Sequence, residues 1–162
     1  MKIIIGADHA GFVPKQALAA ALRKAGHSVE DAGTDSADSV DYPDFAARVG
    51  RAVAEDEAER GILICGTGIG MCMAANKVPG VRAAVVTDAY TAEMSRRHND
   101  ANVLCMGARV QSLEKMEELA RIFLAAPFDG GRHAGRVEKI KKLEERPGGR
   151  DTGFRKAPPA DD

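Results

Sequence analysis

The stretch "GILICGTGIGMCMAANK", Gly61 to Lys77, starts as an apolar run, stops at Cys65, and passes through glycines at 66, 68 and 70 into a segment with helical character. A short run that is apolar nearly throughout fits a strand of a parallel sheet covered on both faces. The glycine-spaced loop then turns the chain from strand to helix, as the βα junctions of an α/β fold require.

Working outward, "KIIIGA" (2–7), "HSVEDA" (27–32), "VRAAVVT" (81–87) and "ANVLCMG" (101–107) read as further strands, the second polar enough for a sheet edge. Between them, Val13, Ala17, Leu18, Ala21, Leu22 and Ala25 follow helical spacing, with Pro14 in a first turn and Gly26 as the stop. Phe45, Val49 and Val53 mark a second helix, Met71 to Lys77 a third, Ala89 to Arg97 a fourth, and Leu113, Met116, Leu119, Ala120 and Phe123 a fifth. The alternation predicts a three-layer αβα, Rossmann-like fold on a five-stranded parallel sheet with right-handed crossovers. A charged helix over 132–145 has only Val137, Ile140 and Leu143 as an apolar stripe and is expected to pack on a partner subunit. Residues 1–145 then form one domain, and the Pro-, Gly- and charge-rich 146–162 is expected to be a disordered tail.

A chain of 162 residues suits one domain with a single core. Its 23 basic and 24 acidic side chains nearly cancel, aromatics are 4% and Trp is absent, so neither a basic footprint nor a base-stacking platform for nucleic acid is present. The opening "MKIIIGADHAG" is too short an apolar run for a signal peptide or a membrane span, which predicts a cytoplasmic protein. Cys65, Cys72 and Cys105 form no CxxC pair, which argues against a disulfide framework and a thiolate zinc site.

Ligands of open parallel sheets bind beyond the carboxyl ends of the strands. Those ends carry Asp8 and His9, Cys65 to Gly70, Thr87 and Asp88, and Arg109. Gly66, Gly68 and Gly70 turn backbone N–H groups inward ahead of a helix, which suits an anion, yet no GK[ST] follows and the spacing is not GxGxxG. Cys65 reads either as a small hydrophobe closing a strand or as a reactive thiol, because a helix N-terminus favours the thiolate while apolar surroundings favour the thiol. Cys72 and Cys105, inside apolar runs, read as structural. His98 in "RRHNDAN" fits a helix C-terminal charge as well as a functional group. Arg132 and Arg136, four apart, suit a phosphate clamp or a solvated basic face.

Taken in order and spacing, "GADHAGF", "DYPDFA", "GILICGTGIGMCMAANK", "RRHNDANVLCMGARV" and "GGRHAGRVEKI" resemble the ribose-5-phosphate isomerase B family, from residue 2 to about 145. The resemblance implies metal-free and cofactor-free interconversion of ribose 5-phosphate and ribulose 5-phosphate through an enediolate, in a homodimer or tetramer with active sites shared between subunits. One subgroup uses a cysteine base and another a glutamate six positions on. Here those positions are Cys65 and Met71, which places the chain with the cysteine subgroup. Carried over residue by residue, the resemblance makes Cys65 the base between C2 and C1, with Thr67 and the amides of Gly66 to Gly70, including Gly68, around the oxyanion. It makes His98 with Asp8 the ring-opening pair, Tyr42 and Asn99 substrate contacts, and His9, Arg109, Arg132 and Arg136 the phosphate site, the last two reaching across from the partner.

Two other functions compete with this one: isomerisation of a hexose 6-phosphate such as allose or galactose 6-phosphate, and non-catalytic sensing of a sugar phosphate. The sensor explains the anion loop but not a base, oxyanion donors and a ring-opening histidine together. A metal-dependent reaction lacks a ligand spacing among Asp8, His9, His98 and Asp100, and a thiol-redox role for Cys65 lacks a resolving partner.

Overall fold

The computed structural model describes residues 1–144, so the tail expected at 146–162 lies outside the described residues. Strands β1 (Lys2–Ala7), β2 (Ser28–Asp31), β3 (Arg60–Cys65), β4 (Ala83–Val85) and β5 (Val103–Gly107) alternate with helices α1 (Phe12–Lys24), α2 (Tyr42–Ala54), α3 (Ile69–Ala75), α4 (Ala89–Arg97) and α5 (Leu113–Ala125), and α6 (Arg132–Glu144) follows. All strand pairs are parallel, in the order β2-β1-β3-β5-β4. The expected α/β architecture is therefore present, with strand order reversing between β1 and β3.

Side chains two apart share a face of a strand, and that period splits the core. Ile3, Ile5, Ile62, Ile64, Leu104 and Met106 face α1, α4 and α5, joined by Leu18, Ala92, Leu119 and Phe123. Ile4, Leu63, Cys65, Val103 and Cys105 face α2 and α3, joined by Val49, Val53, Met71 and Ala75. The helices start where local chemistry can satisfy free amides. Asp88 accepts from the Thr91 amide at 2.8 Å to open α4, Ser112 accepts from Lys115 to open α5, and a proline sits in the first turn of α2.

Two expectations shift in detail. The apolar 81–87 run yields only a three-residue β4, and it forms the second edge of the sheet. Asn76 closes that edge: its Nδ2 donates to the Ala83 carbonyl at 2.9 Å and its Oδ1 accepts from the Ala83 amide at 2.8 Å, copying a neighbouring strand. Helix α6 also leans partly on its own subunit. It buries His133 and Val137, and Glu144 accepts from the Gly80 amide, while Ile140 and Leu143 stay 40% and 62% exposed.

Lys15 on α1 is fully buried. Its Nζ donates to Asp31 Oδ1 and, at 2.8 Å, to the Thr34 carbonyl, so an amphipathic-looking helix carries a charged brace inside the protein. Lys15→Met leaves the Thr34 carbonyl without its donor and Asp31 without its cation. We expect a loss of about 2 kcal/mol of stability, read as a lowered urea midpoint at unchanged m-value.

Candidate active site

Register decides which residues meet. Ala7 pairs with Ile64 and Cys65 with Gly107, so Asp8, Gly66 and Ala108 leave the sheet at one level. The Asp8 amide donates to the Ile64 carbonyl, Ala108 to Cys65 and Arg109 to Gly66, which sews the three junctions into one cup.

Cys65 is 5% exposed and packs beside Met71 and Ala75, yet its sulfur is not left in apolar surroundings alone. Sγ accepts the Gly68 N–H at 3.1 Å. That bond exists because Gly68 adopts φ +81, a conformation open to glycine at little cost, and a Cβ there would stand 3.0 Å from the Met106 carbonyl carbon. The Gly68 amide is thus committed to the sulfur, and the Ile69 amide points at Thr67 Oγ1 at 3.4 Å. The donors of the loop not committed in this way are the Thr67 hydroxyl and the other amides around the start of α3.

The remaining upper residues line the rim. Asp8, 7% exposed, accepts from the amides of Ala10 and Gly11, so its Oδ1 fixes the turn into α1 and with it the place of His9. His9 Nδ1 accepts from the Val40 amide at 3.5 Å. Arg109 lies across Gly66, and the Tyr42 ring occupies the space a Gly70 side chain would take, 2.8 Å from its Cβ position.

His98, Asn99, Arg132 and Arg136 stand elsewhere. Helix α4 runs back from the upper edge, and His98 caps its end. Asn102, just beyond, donates to the Arg82 carbonyl and accepts from the Gly61 amide, at the starts of β4 and β3. His98 therefore lies toward the starting ends of the strands, whereas Cys65 stands at the carboxyl end of the six-residue β3. Arg132 and Arg136 belong with it: His133 between them stacks on His98 with ring centroids 4.2 Å apart and planes 4° from parallel, and Arg97 binds Asp129 at 3.0 Å. Within one chain the expected pairing of His98 with Asp8 is not made. The candidate residues therefore fall into two candidate half-sites on each chain, an upper one with Cys65 and a lower one with His98 and the two arginines.

Three features escaped sequence reading. His133 is 8% exposed, and its pKa is lowered by burial first and then by His98, Arg132 and Arg136. Asp100 gathers two arginines. Cys72 sits at about 7, below an ordinary thiol, because hydrogen bonding from Cys105 above all, with smaller help from Val85 and Asn76, outweighs burial, while burial first and Cys72 second push Cys105 up. The "HND" triplet and the repeated GRHAGR basic residues were the only signals for the first two.

The chain belongs to the Ribose/Galactose Isomerase family, whose model matches residues 3–140. It is 48% identical over 145 residues to ribose-5-phosphate isomerase B of Escherichia coli, covering 90% of this chain and 97% of that protein. Among solved structures it resembles the Clostridium thermocellum ribose-5-phosphate isomerase B at TM-score 0.89 and 53% identity, covering 90% of this chain and 98% of that one. It also resembles the Mycoplasma genitalium ribose-5-phosphate isomerase B with bound ribulose-5-phosphate, at TM-score 0.87 and 42% identity, covering 90% and 97%.

Proposed function

We propose that this chain interconverts D-ribose 5-phosphate and D-ribulose 5-phosphate, with Cys65 as the base and with each active site built from two copies of the chain. The observation that carries the chemistry is the Cys65 sulfur held by the Gly68 N–H at the mouth of the glycine loop. That donor, at 3.1 Å, fixes where the sulfur stands at the carboxyl end of β3. The thiolate removes the C2 proton of the open-chain aldose and returns it at C1, while a second hydrogen passes from O2 to O1. Charge on oxygen in the enediolate meets the Thr67 hydroxyl and loop amides, and one such preorganised donor contributes about 3 to 4 kcal/mol. His98 opens the sugar ring, Asn99 and Tyr42 contact the sugar, and His9, Arg109, Arg132 and Arg136 hold the phosphate. No cofactor or metal enters the scheme.

The homodimer is supported by the separation of the half-sites and by the surface around the upper one. Tyr42, Ile69, Met73 and Val110 are 40%, 52%, 65% and 62% exposed. All lie on segments bordering the loop, and such a concentration of large apolar groups marks a surface that another protein covers. A second copy presenting His98, Arg132 and Arg136 completes both sites at once under twofold symmetry. The described residues act as one catalytic domain, in the cytoplasm; no helix among them is long and apolar enough to cross a membrane.

The family description covers galactose as well as ribose isomerases, so the sugar is tested directly. We expect kcat/KM for ribose 5-phosphate to exceed that for allose 6-phosphate or galactose 6-phosphate by about tenfold or more, the scale of discrimination that one extra carbon allows. A preference for either hexose phosphate overturns the substrate assignment. Absence of ribulose 5-phosphate after incubation with ribose 5-phosphate overturns catalysis altogether.

A further inference from the structure

The turn that carries His98 and Asn99 is held by a charge cluster that the reaction itself does not use. Asp100, two residues beyond His98, has φ +48, a left-handed conformation that side-chain-bearing residues rarely adopt and that glycine would accept freely. The Asp100 amide donates to the Arg96 carbonyl at 3.0 Å and the Ala101 amide to the Ser95 carbonyl at 2.9 Å, so the chain folds back tightly around His98 and Asn99. The side chain then locks the turn from two directions. Arg82, at the start of β4, donates from Nη2 to Asp100 Oδ2 at 2.9 Å and from Nε to the Asp100 carbonyl at 2.9 Å. Arg96, on α4 and 4% exposed, donates from Nη1 to Asp100 Oδ1 at 2.7 Å and to the Ala101 carbonyl at 2.7 Å.

Each carboxylate oxygen thus has its own guanidinium, and the flanking carbonyls are taken by the same two arginines. A partly buried charge network is a poor way to gain stability over apolar packing, but it fixes geometry closely. We propose that Asp100, gripped by Arg82 and Arg96, is a positioning residue for the reaction: it sets where the His98 ring stands when the lower half-site meets the thiol of another copy. His98 is braced on its other side by the His133 ring, so the turn fixes the backbone against which that stack is held. The role rests on the assignment of ring opening to His98.

Two assays separate positioning from general damage. Ribose 5-phosphate rests as a ring and needs opening. Ribulose 5-phosphate cannot close a furanose ring, because its C5 oxygen is phosphorylated, so exchange of its C1 hydrogen with D2O reports enediolate formation alone. In Asp100→Gly, which keeps the backbone free to turn, and in Asp100→Asn, kcat for ribose 5-phosphate falls about 30-fold while KM and the exchange rate stay within about threefold of wild type, in line with the ~100-fold cost of a 1 Å misplacement. Wild-type kcat in Asp100→Gly overturns the proposal, since the turn would then need only a left-handed backbone. A parallel fall of turnover and exchange also overturns it. If neither Asp100 variant folds, Arg82→Gln is judged by the same two results. His98→Asn distinguishes the failures: unchanged ribose 5-phosphate turnover in that variant removes the ring-opening assignment and the proposal with it, whereas lost turnover there with wild-type Asp100→Gly removes the proposal alone.

Discussion

Replacing Cys65 by alanine is expected to lower ribose 5-phosphate turnover by about a thousandfold or more, the middle of the range a positioned general base contributes. The sulfur's place in the loop is fixed by a backbone donor, while Met71 is apolar, Thr67 is a hydroxyl, and Asp8 spends Oδ1 on two amides of its own turn. Cys65→Ser is the sharper version. A serine oxygen still accepts the Gly68 amide, so the loop keeps its shape, yet near neutral pH it holds its proton, and turnover falls almost as far. Equal urea midpoints for wild type and Cys65→Ser show that the loss is chemical. Mutation is a better probe than alkylation here, because Cys72, half-buried and titrating at about 7, competes for thiol reagents.

How much of this could be read from sequence depended on how local the cause was. The "ILIC" run and the glycines behind it specify a strand, a turn and a helix within a few residues, and the fold and the upper half-site followed from repeating that pattern. Edge and centre were less legible. "VRAAVVT" looks like an interior strand because both its faces are covered, and only the insertion of β5 between β3 and β4 leaves it at the margin. The Lys15 brace joins residues 16 and 19 apart in sequence, across a helix and a strand end, where no periodicity reports it. His98 was singled out, but its separation from Cys65 comes from the direction of α4. A helix that follows a parallel strand must return to the starting edge, so any residue at its end lies opposite the strand ends that bind ligand. The Asp100 cluster was half legible: Arg96 lies four residues before it, whereas Arg82 is 18 residues away and meets it only after the sheet has formed.

That opposition of edges gives the second large effect. Cys65→Ala and His98→Asn chains are each expected to be nearly inactive as pure dimers, since every site lacks its base or its ring-opening group. In a mixed dimer the two defects fall in one site, and the other joins an intact Cys65 to an intact His98. Mixed dimers, co-expressed with two different tags and isolated through both, are therefore expected to turn over ribose 5-phosphate at about half the wild-type rate, one of two symmetric sites being whole. Mixed dimers that are stable, yet as inactive as either parent, would show that thiol and histidine do not meet across two copies of the chain.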